Sequence, residues 1–338
     1  MTDPSPGRLA YAPGRVNLIG DHTDYNDGLA LPMAIDLGVE VHYEPGSEET
    51  LVIATDLDPV RAEIGTTGGP LPDWARLANA VVDQVRPAHG GRVQVHSDLP
   101  NGAGLSSSAA FGVALALALG VEPMPIEVAR LCQRAEHAIG VPVGLMDPLV
   151  IVAATPGHAL LIDFATLAAE PVALPEDAEI LVVDSEAPRR LAASAYAERR
   201  AECEAAASIL GGPLGRATDA DLGRISDPLL RRRASHVVSE VARVRGFAEA
   251  LSNDDLPTAG ALMAESHRSL ADHFDVSTPA LDRLVGALCS DPRVYGARLT
   301  GAGFGGCVVV LCRPGTEPSV PNPRWRVRAA GGAWVRTI

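Results

Sequence analysis

Hydrophobic and polar positions divide the chain into a strand-rich first half and a helix-rich second half. Residues 8–12 and 29–36 read as strands flanking a polar loop. "ETLVIATD" at 49–56 and "GRVQVHSDL" at 91–99 alternate apolar and polar side chains, as half-buried strands do. "DWARLANAVVDQV" at 73–85 carries the helical period. "LPNGAGLSSSAAFGVALALALG" reads as a Gly-rich loop, three serines and an apolar helix ending at Gly120. A helix apolar on nearly every side has to be buried in a core. Pro125 opens another helix, to about Ile139, and strands follow at 158–163 and 179–184. From 187 to about 289 the pattern is mostly helical, with breaks near Gly211–Gly215 and near Pro257. It returns to strand in "RVYGARLTG" and "GCVVVLC", and the Pro- and Gly-rich tail 313–338 reads as ending in a hairpin. This order predicts an α+β protein of two domains, 1–170 and 171–338, with the boundary near 165–180.

Bulk properties narrow the class. A length of 338 residues exceeds the size at which single cores stop growing, which supports two domains. Hydrophobic residues make up 47% and charged ones 21%, a globular balance. The net charge of −14 argues against nonspecific nucleic-acid binding, and "RRR" at 231–233 reads as a solvated helix face. All 28 basic residues are Arg. Without Lys there is no Walker-type phosphate loop, no Schiff-base or pyridoxal chemistry and no protein-kinase strand Lys. Five widely spaced Cys residues fit reduced thiols better than a disulfide framework. No signal-peptide pattern opens the chain, and the apolar run 109–119 is too short to span a bilayer. The expectation is a cytoplasmic protein with no nucleic-acid or membrane partner and no obligate protein partner.

Four stretches carry candidate chemistry. "GDHTDYNDG" at 20–28 is either a hairpin tip, whose Asn26-Asp27-Gly28 lets Asn and Gly take positive φ, or the lining of a pocket for a ligand rich in hydroxyls. In "NGAGLSSSAA", glycines let backbone N–H groups approach a ligand and the next helix offers free N–H groups. That makes an anion site, with Ser hydroxyls able to bond phosphate or ligate magnesium; the alternative is a Ser-capped helix. "LTGAGFGGCVVVL" at 299–311 has four Gly in six positions, suiting a tight hairpin or a loop close to a ligand. In "AEHAIGVPVGLMDPL", Glu136 sits late in a helix and Asp147 follows a loop closed by Gly144, Leu145 and Met146. Asp147 either caps a turn before Pro148 or is a buried acid that needs a partner.

Taken in order, "PGRVNLIGDHTDYN", "LPNGAGLSSSAA" and "LTGAGFGGC" resemble the three motifs of the GHMP kinase family, and within it the galactokinases. "GHALLIDF", "AASAYAERRAECEAA" and "LMAESHRSLADHFDVSTPALDRLV" extend the resemblance over most of residues 8–312. It implies an N-terminal domain like the second domain of ribosomal protein S5, a ferredoxin-like C-terminal domain, and an active site between them. The implied reaction is phosphoryl transfer from ATP, with Mg²⁺, to the anomeric hydroxyl of a sugar. By the same resemblance Asp147 matches the catalytic acid and Arg15 the Arg beside it. Gly102, Ala103, Gly104, Leu105, Ser106 and Ser107 match the phosphate cradle, and Ser108 and Glu136 the magnesium ligands. Asp21, His22, Asp24 and Tyr196 match the sugar contacts.

Phosphoryl transfer needs alignment and charge neutralisation more than covalent help. Without Lys, that work falls to helix N–H groups, Mg²⁺ and Arg15. Asp147 then acts as a general base or orients the hydroxyl. Asp21 stands where the family more often has Glu, so its carboxylate reaches less far and sugar discrimination should relax. Pro148 replaces a usual Gln, the loop from Glu136 is one residue shorter, and "DSEAPRR" at 184–190 departs from an expected Asn-Ser, basic residue and His. The readings that remain are a galactokinase, a GHMP kinase for another sugar, amino sugar or cyclitol, and a non-catalytic sugar/ATP sensor.

Overall fold

β1 (Arg8–Asn17), β2 (Leu29–Ala30), β3 (Pro32–Pro45), β4 (Leu51–Thr55), β5 (Asp58–Ile64), α1 (Asp73–Val85) and β6 (Gly91–Ser97) open the computed structural model. Three helices follow, α2 (Ser107–Ala118), α3 (Pro125–Ala138) and α4 (Met146–Ala153), then β7 (His158–Asp163), β8 (Ala168–Ala173) and β9 (Glu179–Asp184). The helical stretch holds α5 (Ala192–Leu210), α6 (Asp219–Leu222), α7 (Pro228–Ser252), α8 (Leu256–Asp272) and α9 (Pro279–Cys289). β10 (Val294–Leu299), β11 (Cys307–Cys312), β12 (Arg324–Val327) and β13 (Trp334–Thr337) close the chain. The structure describes residues 6–47, 49–56, 58–65, 71–100, 102–141, 143–187 and 192–338, so Asn101 and Pro188–Arg190 lie outside the described residues. Among the described residues no helix is long and apolar enough to cross a membrane.

The strands form a six-stranded sheet in the order β13-β1-β3-β6-β4-β5, a four-stranded antiparallel sheet β10-β11-β9-β12, and a three-stranded sheet β2-β7-β8. α2 packs on β1 and β3 and against α1, α3 and α4. Val113, Leu115 and Leu117 of α2 are fully buried, and each such side chain contributes about 1.5–3 kcal/mol. That burial fixes where the N-terminus of α2 points. β11 lies between two cores: Cys307, Val309 and Leu311 face the one that holds the six-stranded sheet, while Val308, Val310 and Cys312 face the one built with α5 and α9.

Three local expectations are corrected. The tail forms no hairpin: β12 pairs with β9 and β13 with β1, so residues 334–337 add an edge strand to the first sheet. "RRR" at 231–233 is not wholly solvated, because Arg233 is buried against α5, donating to Glu202 Oε2 at 2.7 Å and to the His273 carbonyl at 2.7 Å. In the 20–28 loop, positive φ falls on Gly20 (98°), His22 (64°) and Asp27 (54°), not on Asn26 or Gly28. Gly28 is needed for space instead, since a Cβ there would press on Thr23 and Val241.

Candidate active site

Arg15 sits on β1 just past a register shift, and its guanidinium grips Asp147 with two hydrogen bonds. Nε donates to Oδ1 at 2.7 Å and Nη2 to Oδ2 at 2.6 Å, a fork that Lys could not reproduce. Nη1 donates to the Gly104 carbonyl at 2.8 Å, and the Arg15 N–H to the Leu105 carbonyl at 3.1 Å. One Arg therefore ties the acid to the Gly-rich loop. Asp147 lies in the first turn of α4, where the helix dipole favours an anion. Pro148 shares that turn, where no N–H is needed, so it leaves the hold on Asp147 intact.

Ser106 stands at the N-cap of α2 but does not cap it. Its backbone takes φ 61°, and its hydroxyl donates to Asp147 Oδ2 at 2.5 Å. The first turn of α2 therefore keeps N–H groups without a side-chain cap, which is what an anion site requires. Gly102 and Gly104, at φ 73° and 74°, turn the loop toward that end.

The polar loop is held by its own backbone and by the third motif. Asn26 Nδ2 donates to the His22 carbonyl at 2.8 Å, and the Thr23 hydroxyl is shared by the Gly20 and Leu29 carbonyls. Asp21, 3% exposed, accepts from the Gly301 N–H at 3.0 Å and from Arg298 Nη2 at 2.5 Å. Arg298, fully buried on β10, also donates to the Leu18 carbonyl at 3.2 Å.

A cavity of about 260 Å³ opens where these pieces meet. Arg15, Asp21, His22, Asp24, Val141, Val143, Gly144, Met146, Asp147, Tyr196, Gly301 and Ala302 line it. Burial, then repulsion from Asp147, raises the Asp24 carboxyl to about 6. Burial, again with repulsion from Asp147, raises Glu136 to about 7, opposed by the Ser108 hydroxyl and the Arg15 charge. Burial lowers His22 to about 4, so its ring is neutral. A cation beside Glu136 and Asp147 would relieve their repulsion. Ser108 and Glu136 are hard oxygen donors that suit Mg²⁺, which usually takes one or two carboxylates plus phosphate and water. Among the described residues no group of three His, Cys, Asp or Glu could hold a metal alone, so phosphate and water oxygens would complete the shell.

Comparison with known proteins agrees with this architecture. The galactokinase galactose-binding signature matches residues 2–45, the GHMP kinases N terminal domain 75–155, and the GHMP kinases C terminal family 247–321. A galactokinase of Chloroflexus aggregans is 40% identical over 90% of this chain and 84% of its own, and one of Bos taurus is 40% identical over 93% and 86%. The chain belongs to the galactokinase family. The crystal structure of Lactococcus lactis galactokinase complexed with galactose matches with a TM-score of 0.89 at 26% identity, covering 98% of this chain and 96% of that one. The crystal structure of L. major mevalonate kinase in complex with R-mevalonate matches with a TM-score of 0.69 at 17% identity, over 98% of this chain and 99% of its own, and speaks to fold alone.

Within this galactokinase fold, the cavity gathers all six residues matched to acid, Arg and sugar contacts: Arg15, Asp21, His22, Asp24, Asp147 and Tyr196. The loop 102–106 reaches it through Arg15 and Ser106, and Glu136 through its field on Asp147. Four contributors were missed. Arg298 was readable as a charge inside an apolar strand, which demands a buried partner. Gly144 matters because a Cβ there would overlap Asp24 Oδ2. The side-chain role of Ser106 and the Tyr25 hydroxyl, 3.0 Å from His22 Nδ1, had no local signal.

Proposed function

We propose that the chain transfers the γ-phosphoryl group of ATP to the anomeric hydroxyl of galactose. The observation that carries this reading is the single cavity where the Arg15–Asp147 pair, joined by Ser106 to the start of α2, faces Asp21, His22, Asp24 and Tyr196. Asp147, held on both oxygens, orients the anomeric hydroxyl. The bond from that oxygen to the γ-phosphorus forms as the bond to the β–γ bridging oxygen breaks, and the hydroxyl proton passes to Asp147. N–H groups of α2 and the loop 102–107 cradle the phosphates, and Arg15 holds Asp147 against Gly104. Magnesium, when bound, neutralises phosphate charge; Ser108 and Glu136 would hold it. Asp24 and Tyr196 meet sugar hydroxyls, and a hydroxyl that is absent leaves buried groups unpaired.

The test is ADP release with a panel of galactose, its deoxy analogues, galactosamine, glucose and a cyclitol, with the product's phosphate located by NMR. Galactose should give the 1-phosphate. An inert galactose beside another active sugar or cyclitol would end the galactose assignment, and ADP release with none of them would favour a sensor.

Three variants probe the parts. Gly144→Ala places a methyl where Asp24 Oδ2 lies. It should raise the galactose KM roughly tenfold or more, because a hydrogen bond to a charged group is worth about 1.5–3 kcal/mol. The KM for ATP should stay unchanged; steady-state kinetics with each substrate varied will check this. Ser108→Ala and Glu136→Gln should each raise the magnesium concentration for half-maximal rate by roughly tenfold, the loss of one hard oxygen ligand. Magnesium titrations that overlay on wild type would remove both from the metal shell.

A further inference from the structure

His22 is 5% exposed, lines the cavity, and has a backbone held at φ 64° with its carbonyl accepting from Asn26. Its ring is packed between aromatic side chains, with centroids 4.6 Å from Phe274 and 5.6 Å from Tyr196. Tyr25 meets it edge-on at 6.0 Å, and the Tyr25 hydroxyl lies 3.0 Å from Nδ1. Nε2 is buried and, among the described residues, has no partner in hydrogen-bond geometry, although the Ala302 carbonyl of the third loop acts on the ring. A neutral imidazole carries one N–H, and the hydrogen bond made by one nitrogen decides which nitrogen bears it.

We propose that Tyr25 is a positioning residue that fixes His22 as the Nε2–H tautomer, making it a hydrogen-bond donor to a sugar hydroxyl oxygen in the cavity. The phenol can donate or accept; as the donor it finds Nδ1 as the acceptor in reach, 3.0 Å away. Burial keeps both groups neutral: it drives the Tyr25 phenol well above its usual value and holds the imidazole uncharged. With Tyr25 donating to Nδ1, the ring proton sits on Nε2. The Ala302 carbonyl, which acts on the ring as an acceptor, favours the same placement. The Arg200 guanidinium, 5.6 Å from the Tyr25 ring centroid, helps hold the phenol in place. A buried donor without a partner is costly, and a hydroxyl oxygen entering the cavity would satisfy it. The sugar part of this inference rests on the proposed function; the tautomer does not.

The experiment is long-range ¹H–¹⁵N correlation of the histidine rings in the full chain, with His22 assigned from its loss in His22→Gln. In the wild type, Nε2 should be pyrrole-like and Nδ1 pyridine-like. Tyr25→Phe keeps the ring and removes the hydroxyl. It should give a mixture of tautomers and raise the galactose KM roughly five- to tenfold, with kcat and the KM for ATP within about twofold, since one neutral hydrogen bond is at stake. A proton on Nδ1 in the wild type, or an unchanged tautomer in Tyr25→Phe, overturns the proposal. If Tyr25→Phe does not fold, the wild-type spectrum alone decides. If galactose proves inert, the spectra still test the tautomer while the kinetic arm tests the sugar reading.

Discussion

Asp147→Asn should lose turnover by roughly 10²–10⁴-fold, the usual contribution of a positioned acid–base group, while ATP binding stays largely intact. The shape is nearly unchanged, but the hydrogen bonding is not. Both carboxylate oxygens accept from Arg15, and Oδ2 accepts from Ser106 as well. An amide NH₂ can only donate, so in either orientation it faces a guanidinium N–H. One arm of the fork is lost, and the Arg15 charge, on a residue 8% exposed, is left without its counter-ion. In the proposed reaction the sugar hydroxyl also loses its proton acceptor. In that reaction ATP is held by backbone N–H groups of α2 and the loop, which stay in place although the contact of the Ser106 hydroxyl with position 147 is altered. ADP-release rates and calorimetric ATP binding measure the two halves of the prediction, and a near wild-type rate would remove Asp147 from the chemistry.

Arg298→Met should destabilise the fold by about 3–5 kcal/mol, the cost of leaving one member of a buried ion pair alone. Asp21 would keep the Gly301 N–H but lose Arg298, in a place where it is 3% exposed. The charge would have to take up a proton or draw in water. Converting Asp21 to Asn in the same chain removes that charge and keeps a side-chain oxygen for the Gly301 N–H, so the double variant should recover most of the loss. Urea unfolding of both variants is the measurement. A single variant within about 1 kcal/mol of wild type would mean the pair contributes little beyond local packing. The pair also bears on the Asp-for-Glu change at position 21. Because Asp21 is anchored on both oxygens, one by the Gly301 N–H of the third loop and the other by Arg298 of β10, its shorter reach is tied to a fixed support rather than left loose in the cavity.

Periodicity located α1 at 73–85 and the burial of α2, because both are dictated by which face of a local element is apolar. It missed α4, where Pro148 and a short apolar run look like a turn, and it missed β5 and β8. β8 is mostly exposed and, among the described residues, pairs with β7 alone, so its side chains carry little pattern. The tail was misread for a different reason. β12 and β13 find partners in β9 and β1, and nothing within 313–338 names those partners.

The same division runs through the site. Residue types in local order were enough to point to an anion-binding helix start, a polar loop and an acid, since Gly-rich loops and clustered hydrogen-bonding groups have local chemical meaning. Their joining was not local. Arg15 and Asp147 are 132 positions apart, and Asp21 and Arg298 are 277 apart. Whether Ser106 caps α2 or turns to Asp147, whether Asp21 is braced by Arg298, and which nitrogen of His22 meets Tyr25 depend on burial that brings distant segments together. In a buried site each polar group must take a partner from whatever the packing supplies, and only the tertiary structure decides what is supplied.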